Sequence, residues 1–568
     1  MTAKRNKRAG SGWAGFLIVL AACLPGLLPA GTATPAVEKA LDIEKFKREL
    51  ERSHALVAKH DRNHRRQLKT LDRITKKAPG FPGPWTALAR LEASTGNFRR
   101  AEQDHLRALA ASDRWTGPAL AYSEFLSVRG RKDDAAALLR SVLSTQPGDP
   151  ALSYALAEVL QSSEPETARD LWDSLFRADR ERIDAAFKAA TLEYSRGRYR
   201  EAFERFEKLH GERPRDAEIL ALCVESARKA GRPEKASGYI EKLALGTAEC
   251  SHLEAWIEGA PKNPLAACRR AHERNPRCPG VLVRTGEVQE RSGDFHGAFR
   301  AYAAAFRLDP EDRTLLARLK TLAGQLLEPM PDPGPFLRLP ERNNIWSKAE
   351  AEMNAGNWKK AFSVVKRVPF RRDMEFGQPF LLRMAEAAKG DDELMRWADS
   401  LARTCHREGT FVYAAALQGS GRSARADEML RKSVETWFMD PFPCERLGRL
   451  RVALGFWDAA GKVFEEADRR DWRGRWILDE ARCALEKGDG GMATRLYLSV
   501  LGRRVFQAEA YQGLMRAYER NRMPQEALAA ARLWAQAEPL SKEAWEAFRR
   551  WETDPKMRDL IDRVLGVL

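Results

Sequence analysis

Small and apolar residues recur along most of this chain in pairs of helical stretches separated by a glycine turn. In residues 279–312, PGVLVRTGEVQERSGDFHGAFRAYAAAFRLDPED, the apolar positions at helical spacing predict two helices. Gly293 lies at the turn between them, and Pro310 ends the second helix. Gly286 and Ala298 stand where the two helices must touch. The pattern therefore predicts a 34-residue helix–turn–helix unit.

The same unit recurs with a nearly constant period. Five alanines that open the second helices of successive units are 34, 33, 34 and 34 residues apart, namely Ala101, Ala135, Ala168, Ala202 and Ala236. A single helix pair cannot bury its apolar face, so such units stack on their neighbours. The small contact residues, the turn glycine followed by an aromatic residue and the closing proline resemble the tetratricopeptide repeat (TPR). The resemblance implies an all-α, right-handed superhelical solenoid of helix–turn–helix repeats in two halves.

Composition shifts along the chain predict its division into segments. Five prolines in fourteen residues, 328–341, exclude a continuous helix and predict a Pro-rich joint between two arrays. Residues 251–278 are too short for a full unit. The predicted segments are N-terminal helices or a degenerate repeat (34–81), a first TPR array (82–327), the joint (328–341), a second TPR array (342–541) and a C-terminal capping helix (542–568).

The N-terminus has the features of a secretory signal peptide over residues 1–33. Four basic residues precede an apolar stretch, and small residues follow it. Residues 20–23, Leu-Ala-Ala-Cys, also resemble the lipoprotein box, in which Cys23 is lipidated. We therefore expect an exported, periplasmic protein, either free or lipid-anchored to a membrane through Cys23, and the two alternatives remain open.

The charge balance bears on the partners. The chain has 96 basic and 80 acidic residues, and removal of the four basic residues of 1–33 leaves 92 − 80 = +12. Export argues against nucleic acid as a partner. A basic surface outside the cytoplasmic membrane suits anionic glycan, a membrane surface or an acidic protein.

The sequence contains none of the catalytic signatures that we sought. HExxH, GxSxG and a phosphate-binding GK[ST] loop are all absent. We therefore predict a non-catalytic protein without cofactor or metal. Cys250, Cys268 and Cys278 cluster in the irregular region, and they predict either a disulfide between two of them or free buried thiols.

The TPR resemblance implies a working surface on the concave face, which exposed positions of the first helices line. The predicted partner-binding residues there form an aromatic track of Phe187, Trp346, Phe380, Phe411 and Phe442. Such rings suit an extended peptide, a partner helix or a sugar chain, or else they pack within and between units. The resemblance implies a protein–protein interaction scaffold of the bacterial cell envelope. The alternative is a glycan-binding module that assists polysaccharide export or assembly.

Overall fold

The computed structural model describes residues 63–568, except 113–114, 260–262, 310–311, 327–329, 331–341, 367–373, 405 and 504–506. Within these ranges, residues Leu71–Leu568 form one compact unit. Across the described ranges the secondary structure is helical, with thirty helices and no strand. The predicted all-α repeat solenoid is therefore confirmed. No helix within these ranges has both the length and the apolar character needed to cross a membrane.

The first array is preceded by one helix and consists of seven helix pairs and a single last helix. These helices are α1 (63–77), α2 (Pro82–Ser94), α3 (Phe98–Ala110), α4 (Gly117–Val128), α5 (Lys132–Thr145), α6 (Pro150–Leu160), α7 (Pro165–Ala178), α8 (Ile183–Ser195), α9 (Tyr199–Glu212), α10 (Ala217–Lys229), α11 (Pro233–Thr247), α12 (Cys250–Glu258), α13 (Pro264–Arg274), α14 (Pro279–Arg291), α15 (Phe295–Leu308) and α16 (Arg313–Leu326).

The second array consists of seven further pairs. They are α17 (Arg342–Asn354), α18 (Trp358–Val365), α19 (Met374–Ala387), α20 (Asp392–Thr404), α21 (His406–Gly419), α22 (Ser423–Thr436), α23 (Phe442–Ala453), α24 (Trp457–Arg469), α25 (Ile477–Lys487), α26 (Gly490–Arg503), α27 (Ala508–Arg520), α28 (Pro524–Ala537), α29 (Lys542–Trp551) and α30 (Pro555–Leu565).

Local chemistry sets where these helices begin and end. Proline opens many of them, because its missing N–H has no partner in the first turn of a helix. The turn inside most pairs bends through a left-handed glycine, such as Gly96 with φ 83° and Gly293 with φ 82°. The sequence pattern and the helix boundaries agree at these positions because both follow from the same residues.

Two segments differ from the sequence prediction. The stretch at 251–278, predicted to be too short for a unit, holds the complete pair α12 and α13 once Cys250 is included, with helices of only 9 and 11 residues. The C-terminal segment, predicted as one capping helix, forms the pair α29 and α30. Pro555 causes the break, because it begins α30 with Asp554 as its N-cap.

Some predicted segments lie outside the described residues. They are the signal peptide with Cys23, the part of 34–81 that precedes residue 63, and the Pro-rich joint apart from Met330.

Large side chains and small contact residues fill the core together. Tyr302 of α15 is fully buried against Gly286 of α14, where an added Cβ would lie 2.5 Å from a ring carbon. Gly448 of α23 meets Phe464 of α24 in the same way, at 2.7 Å. Both glycines precede their aromatic partner by 16 residues, so the repeat places the same contact in both arrays.

The two arrays contact each other in antiparallel order. Residues early in the first array meet residues late in the second, so the second array runs back along the first. From the outer ends inward, four of the crossing hydrogen bonds are Gly83 N–H to Gln536 Oε1 (2.7 Å), Arg503 to the Glu181 carbonyl (2.8 Å), Arg213 to the Asp468 carbonyl (2.6 Å) and Arg274 to the Thr436 carbonyl (2.7 Å).

Candidate functional site at the contact between the arrays

A long connection in the second array forms the centre of the contact between the arrays. Helix α24 ends at Arg469 and α25 begins at Ile477, so residues 470–476 join them. We call this segment the 470–476 loop. The comparable links at 179–182 and 213–216 have four residues each. Gly474 turns the loop with φ 60°, and Trp476 at its end is buried in the second array.

Trp472 of this loop lies on the first array. Its ring stacks on Phe187 of α8, with 3.9 Å between centroids and 12° between planes. Its indole N–H donates to Glu218 Oε2 at 2.9 Å, and its backbone N–H donates to Asp216 Oδ2 at 2.7 Å. One residue therefore makes an aromatic contact and two hydrogen bonds to carboxylates.

Asp216 connects the structure of α10 to this contact. Its Oδ1 caps α10 by accepting from the backbone N–H groups of Glu218 and Ile219, each at 3.0 Å. Its other oxygen accepts from Trp472. The residue is almost fully buried, and burial raises the pKa of Asp216 to about 7. The helix cap thus also holds the loop.

Charged contacts flank the stacked rings. Arg473 pairs with both carboxylate oxygens of Glu218, at 2.6 and 3.0 Å. Arg215 of the first array forms an ion pair with Glu466 of the second array, with 2.6 Å between nitrogen and oxygen. Glu218 also accepts a hydrogen bond from the indole of Trp472, so its carboxylate contacts two consecutive residues of the loop.

Arg470 fixes the base of the loop. Its side chain is only 2% exposed, and its guanidinium donates to the carbonyl oxygens of Val434, Trp437 and Asp440 at 3.1–3.3 Å. It also pairs with Glu466 at 2.9 Å. A buried arginine whose donors are satisfied in this way makes the loop a defined part of the fold.

A cleft of about 190 Å³ adjoins the loop and is lined from both arrays. Pockets for drug-sized ligands usually span about 300–1,000 Å³, so this volume suits a single side chain better. Phe442 is 42% exposed and lines the cleft. The guanidinium carbons of Arg407 and Arg475 each lie 6.0 Å from its ring centroid. The cleft therefore combines one accessible ring with two cations.

The structure does not place the predicted aromatic residues along one exposed track. Phe187, Phe380 and Phe411 are buried, at 6%, 6% and 2% exposure. Phe187 lies under Trp472, and Phe411 packs edge-on against Trp437, with centroids 6.3 Å apart. For these three residues the expected exposed groove is wrong, because the rest of the chain covers them.

The other two members of the track have different outcomes. Phe442 is exposed and lines the cleft. Trp346 belongs to α17, and its side chain lies outside the described residues. Sequence reasoning missed Trp472, Asp216 and Glu218. The signal for Trp472 was the seven-residue link of sequence RDWRGRW between two helices, whereas no comparable signal marked Asp216 and Glu218.

The cysteines of the irregular region are also placed by the structure. Cys250 and Cys278 form a disulfide, with 5.5 Å between their Cα atoms, which is a usual separation for such a bond. Cys268 is buried with a free thiol. Of the two alternatives for this cluster, the structure contains the disulfide. In the ranges that the structure covers, no group of three or more His, Cys, Asp or Glu side chains has the arrangement of a metal site.

No protein-family model matches this sequence, and no curated protein matches it either. Three solved structures to which the chain is similar are repeat proteins. YrrB, a TPR protein with an unusual peptide-binding site, shares 18% identity over 33% of this chain and 100% of its own, with a TM-score of 0.25. The C-terminal part of a TPR repeat-containing protein from Cytophaga hutchinsonii shares 14% identity over 41% of this chain and 99% of its own, with a TM-score of 0.32. A tetratricopeptide repeat protein from Parabacteroides merdae shares 12% identity over 45% of this chain and 99% of its own, with a TM-score of 0.27.

The assignment of this chain rests on its own repeats. Successive helix pairs stack along both arrays, and their second helices begin about 34 residues apart. A turn glycine separates the members of most pairs, and small residues such as Gly286 and Gly448 lie where helices meet. The chain therefore folds as a solenoid of helix–turn–helix repeats of the tetratricopeptide type.

Proposed function

We propose that this protein is a non-catalytic protein–protein interaction scaffold of the bacterial cell envelope. One observation carries the proposal: the first array already holds a polypeptide segment, the 470–476 loop, by ring stacking and charge-assisted hydrogen bonds. A surface that binds its own chain in this way has the chemistry to bind another. Helix-repeat arrays present such side chains over a long surface.

The envelope location rests on the N-terminal pattern and on the cysteines. Residues 1–33 read as a signal peptide or a lipoprotein signal ending at Cys23. The Cys250–Cys278 disulfide fits an oxidising compartment such as the periplasm, because thiols in the cytosol are kept reduced. Fractionation of cells that express the native chain or Cys23→Ala tests this part. If the native chain is in the membrane fraction and Cys23→Ala is not, the result supports the lipid anchor. If the native chain is in the cytosol, the result contradicts export.

The glycan-binding alternative receives no specific support. It needs several accessible rings along a groove, and of the four predicted rings with described side chains only Phe442 is exposed. A protein partner, in contrast, can use one ring and a cleft of the size of a side chain. We therefore keep the scaffold as the proposal and make the glycan an outcome of its test.

Site-directed photo-crosslinking in the native host tests the scaffold. The photoreactive residue replaces Phe442 at the cleft or, as a matched control, Phe456, which is 58% exposed on another helix boundary of the same array. We expect a discrete polypeptide adduct from position 442 and none from position 456. Equal adducts from both positions contradict a site at the cleft. Polysaccharide that co-purifies without a polypeptide adduct supports the glycan alternative.

A further inference from the structure

The 470–476 loop contacts the first array as a bound peptide would. Two consecutive residues make the contacts: Trp472 stacks on Phe187, and both Trp472 and Arg473 bond to Glu218. The backbone N–H of Trp472 also bonds to Asp216. Peptide-recognition sites also use main-chain hydrogen bonds, aromatic contacts and charge pairs.

The receiving surface belongs entirely to the first array. Phe187 extends from α8, whereas Asp216 and Glu218 stand at the start of α10. The backbone of α8 and of the start of α10 is positioned by helix packing within the first array and by the Asp216 cap of α10. Without the loop, one ring face and two carboxylates would remain side by side. Their chemistry is complementary to an aromatic side chain followed by a cation.

We propose that this surface of the first array is a binding site for an aromatic–arginine pair at a turn of a partner protein, as Trp472 and Arg473 form the centre of the Asp471–Gly474 turn, and that the 470–476 loop occupies it when the partner is absent. The inference rests on the proposed scaffold function and names the partner's chemistry. The ring stacks on Phe187, and the guanidinium pairs with Glu218. The loop is therefore an internal competitor of the partner.

Competition by the loop has a measurable consequence. A tethered segment acts at an effective concentration in the millimolar range, so it weakens the binding of a free peptide. A variant with an empty site must bind the free peptide more tightly than the native chain does. The probe is a fluorescent peptide of sequence RDWRGRWI, which copies residues 470–477.

Fluorescence anisotropy compares the native chain with Trp472→Ala/Arg473→Ala. We expect the double variant to bind the peptide at least about tenfold more tightly, because the internal competitor is gone. A peptide with alanine in place of its first tryptophan should lose the binding. Adding Glu218→Gln to the double variant should also weaken peptide binding, and Phe456→Ala in the native chain should leave the peptide affinity unchanged. Equal affinity of the native chain and the double variant, or no binding by the variant, overturns the proposal.

Two further measurements keep the result decisive. Circular dichroism checks that the double variant remains helical. If it does not, Arg473→Glu replaces it, since that change leaves the Trp472 stack in place and opposes Glu218 with a like charge. The Arg473→Glu chain should bind the peptide with intermediate affinity, and native-like affinity in it contradicts the proposal.

A second copy of the chain is the competing occupant. Mixing Glu218→Gln, which has an intact loop, with Trp472→Ala/Arg473→Ala, which has an intact site, tests it by light scattering. If the mixture forms a heterodimer, the occupant of the site is a second copy of the chain, and the proposed partner protein is wrong. If the peptide fails to bind while position 442 still crosslinks to a polypeptide, the aromatic–arginine site is wrong and the scaffold function stands.

Discussion

Glycine serves two different purposes inside the helices of this protein, and alanine substitution separates them. Gly448 lies where a Cβ would come 2.7 Å from the ring of Phe464. Gly448→Ala should therefore lower the free energy of unfolding by roughly 1–3 kcal/mol through overpacking. Gly238 of α11 is exposed, with no atom near the added Cβ. Gly238→Ala should therefore raise the free energy of unfolding by up to about 1 kcal/mol. Urea unfolding followed by circular dichroism measures both changes, and stabilisation by both would show that α23 and α24 do not approach closely.

Two adjacent arginines provide a second comparison of single residues. Arg470 is buried and satisfies three carbonyl groups and Glu466, whereas Arg469 is 59% exposed in its surface pairs. Arg470→Met should destabilise the chain by about 3–5 kcal/mol, because it leaves Glu466 and the carbonyls without their buried partner. Arg469→Met should cost less than about 1 kcal/mol. Thermal melts of the two variants give the comparison, and equal losses would argue against a central role for Arg470 in the base of the loop.

At the scale of the helices, most of the repeat architecture follows from the sequence because its signals are local. The proline at a helix start, the turn glycine and the alanine at the helix contact all act within one unit. The pair α12 and α13 escaped prediction because its helices have lost turns, and a shortened unit carries no period. The pair α29 and α30 escaped because the apolar spacing continues across the break at Pro555.

The candidate site was harder to predict because it joins residues far apart in the chain. Phe187 stands at a position that a lone array would expose, but Trp472 covers it from the other array. Residues 187 and 472 belong to different repeats, and no periodicity relates them. The sequence therefore located the surface of α8 but not what covers it.

The disulfide gives a prediction about the shortened pair α12–α13. Cys250 begins α12 and Cys278 precedes α14, so the bond closes a segment with a sequence separation of 28 residues across both short helices. Cys250→Ser/Cys278→Ser should lose about 2–4 kcal/mol of stability, since the unfolded chain gains conformational freedom. Thermal melts with and without reductant measure the effect.

The buried thiol of Cys268 supplies the control for this experiment. Cys268→Ala should melt at a lower temperature under reducing conditions, as the native chain does, because it retains the disulfide. The double serine variant should show no response to the reductant. A reductant response that persists in the double variant would mean that a different cysteine pair is oxidised.

At the scale of the whole Leu71–Leu568 unit, buried carboxyl groups make the contact between the arrays depend on pH. Burial raises the pKa of Asp216 to about 7 and the pKa of Asp468 to about 7, whereas an aspartate in the unfolded chain titrates near about 4. Both groups accept backbone N–H bonds next to the loop, Asp468 from Trp476 at 2.9 Å. In the folded chain they retain protons that the unfolded chain has already released. Their contribution to stability is therefore fully present below about pH 4 and is lost as the pH rises through about 7.

The urea midpoint of the native chain should consequently fall between about pH 5 and about pH 8. Asp468→Asn should flatten this dependence, since an amide keeps an acceptor for Trp476 and cannot ionise. Asp458→Asn is the matched control. Its side chain is exposed, and the hydrogen bonds that its carboxylate accepts from Lys487 and Lys462 lower the pKa of Asp458 to about 2, so it does not titrate in this window. If Asp468→Asn kept the native pH dependence, or if Asp458→Asn removed it, the buried carboxyls at the contact between the arrays would not be its source.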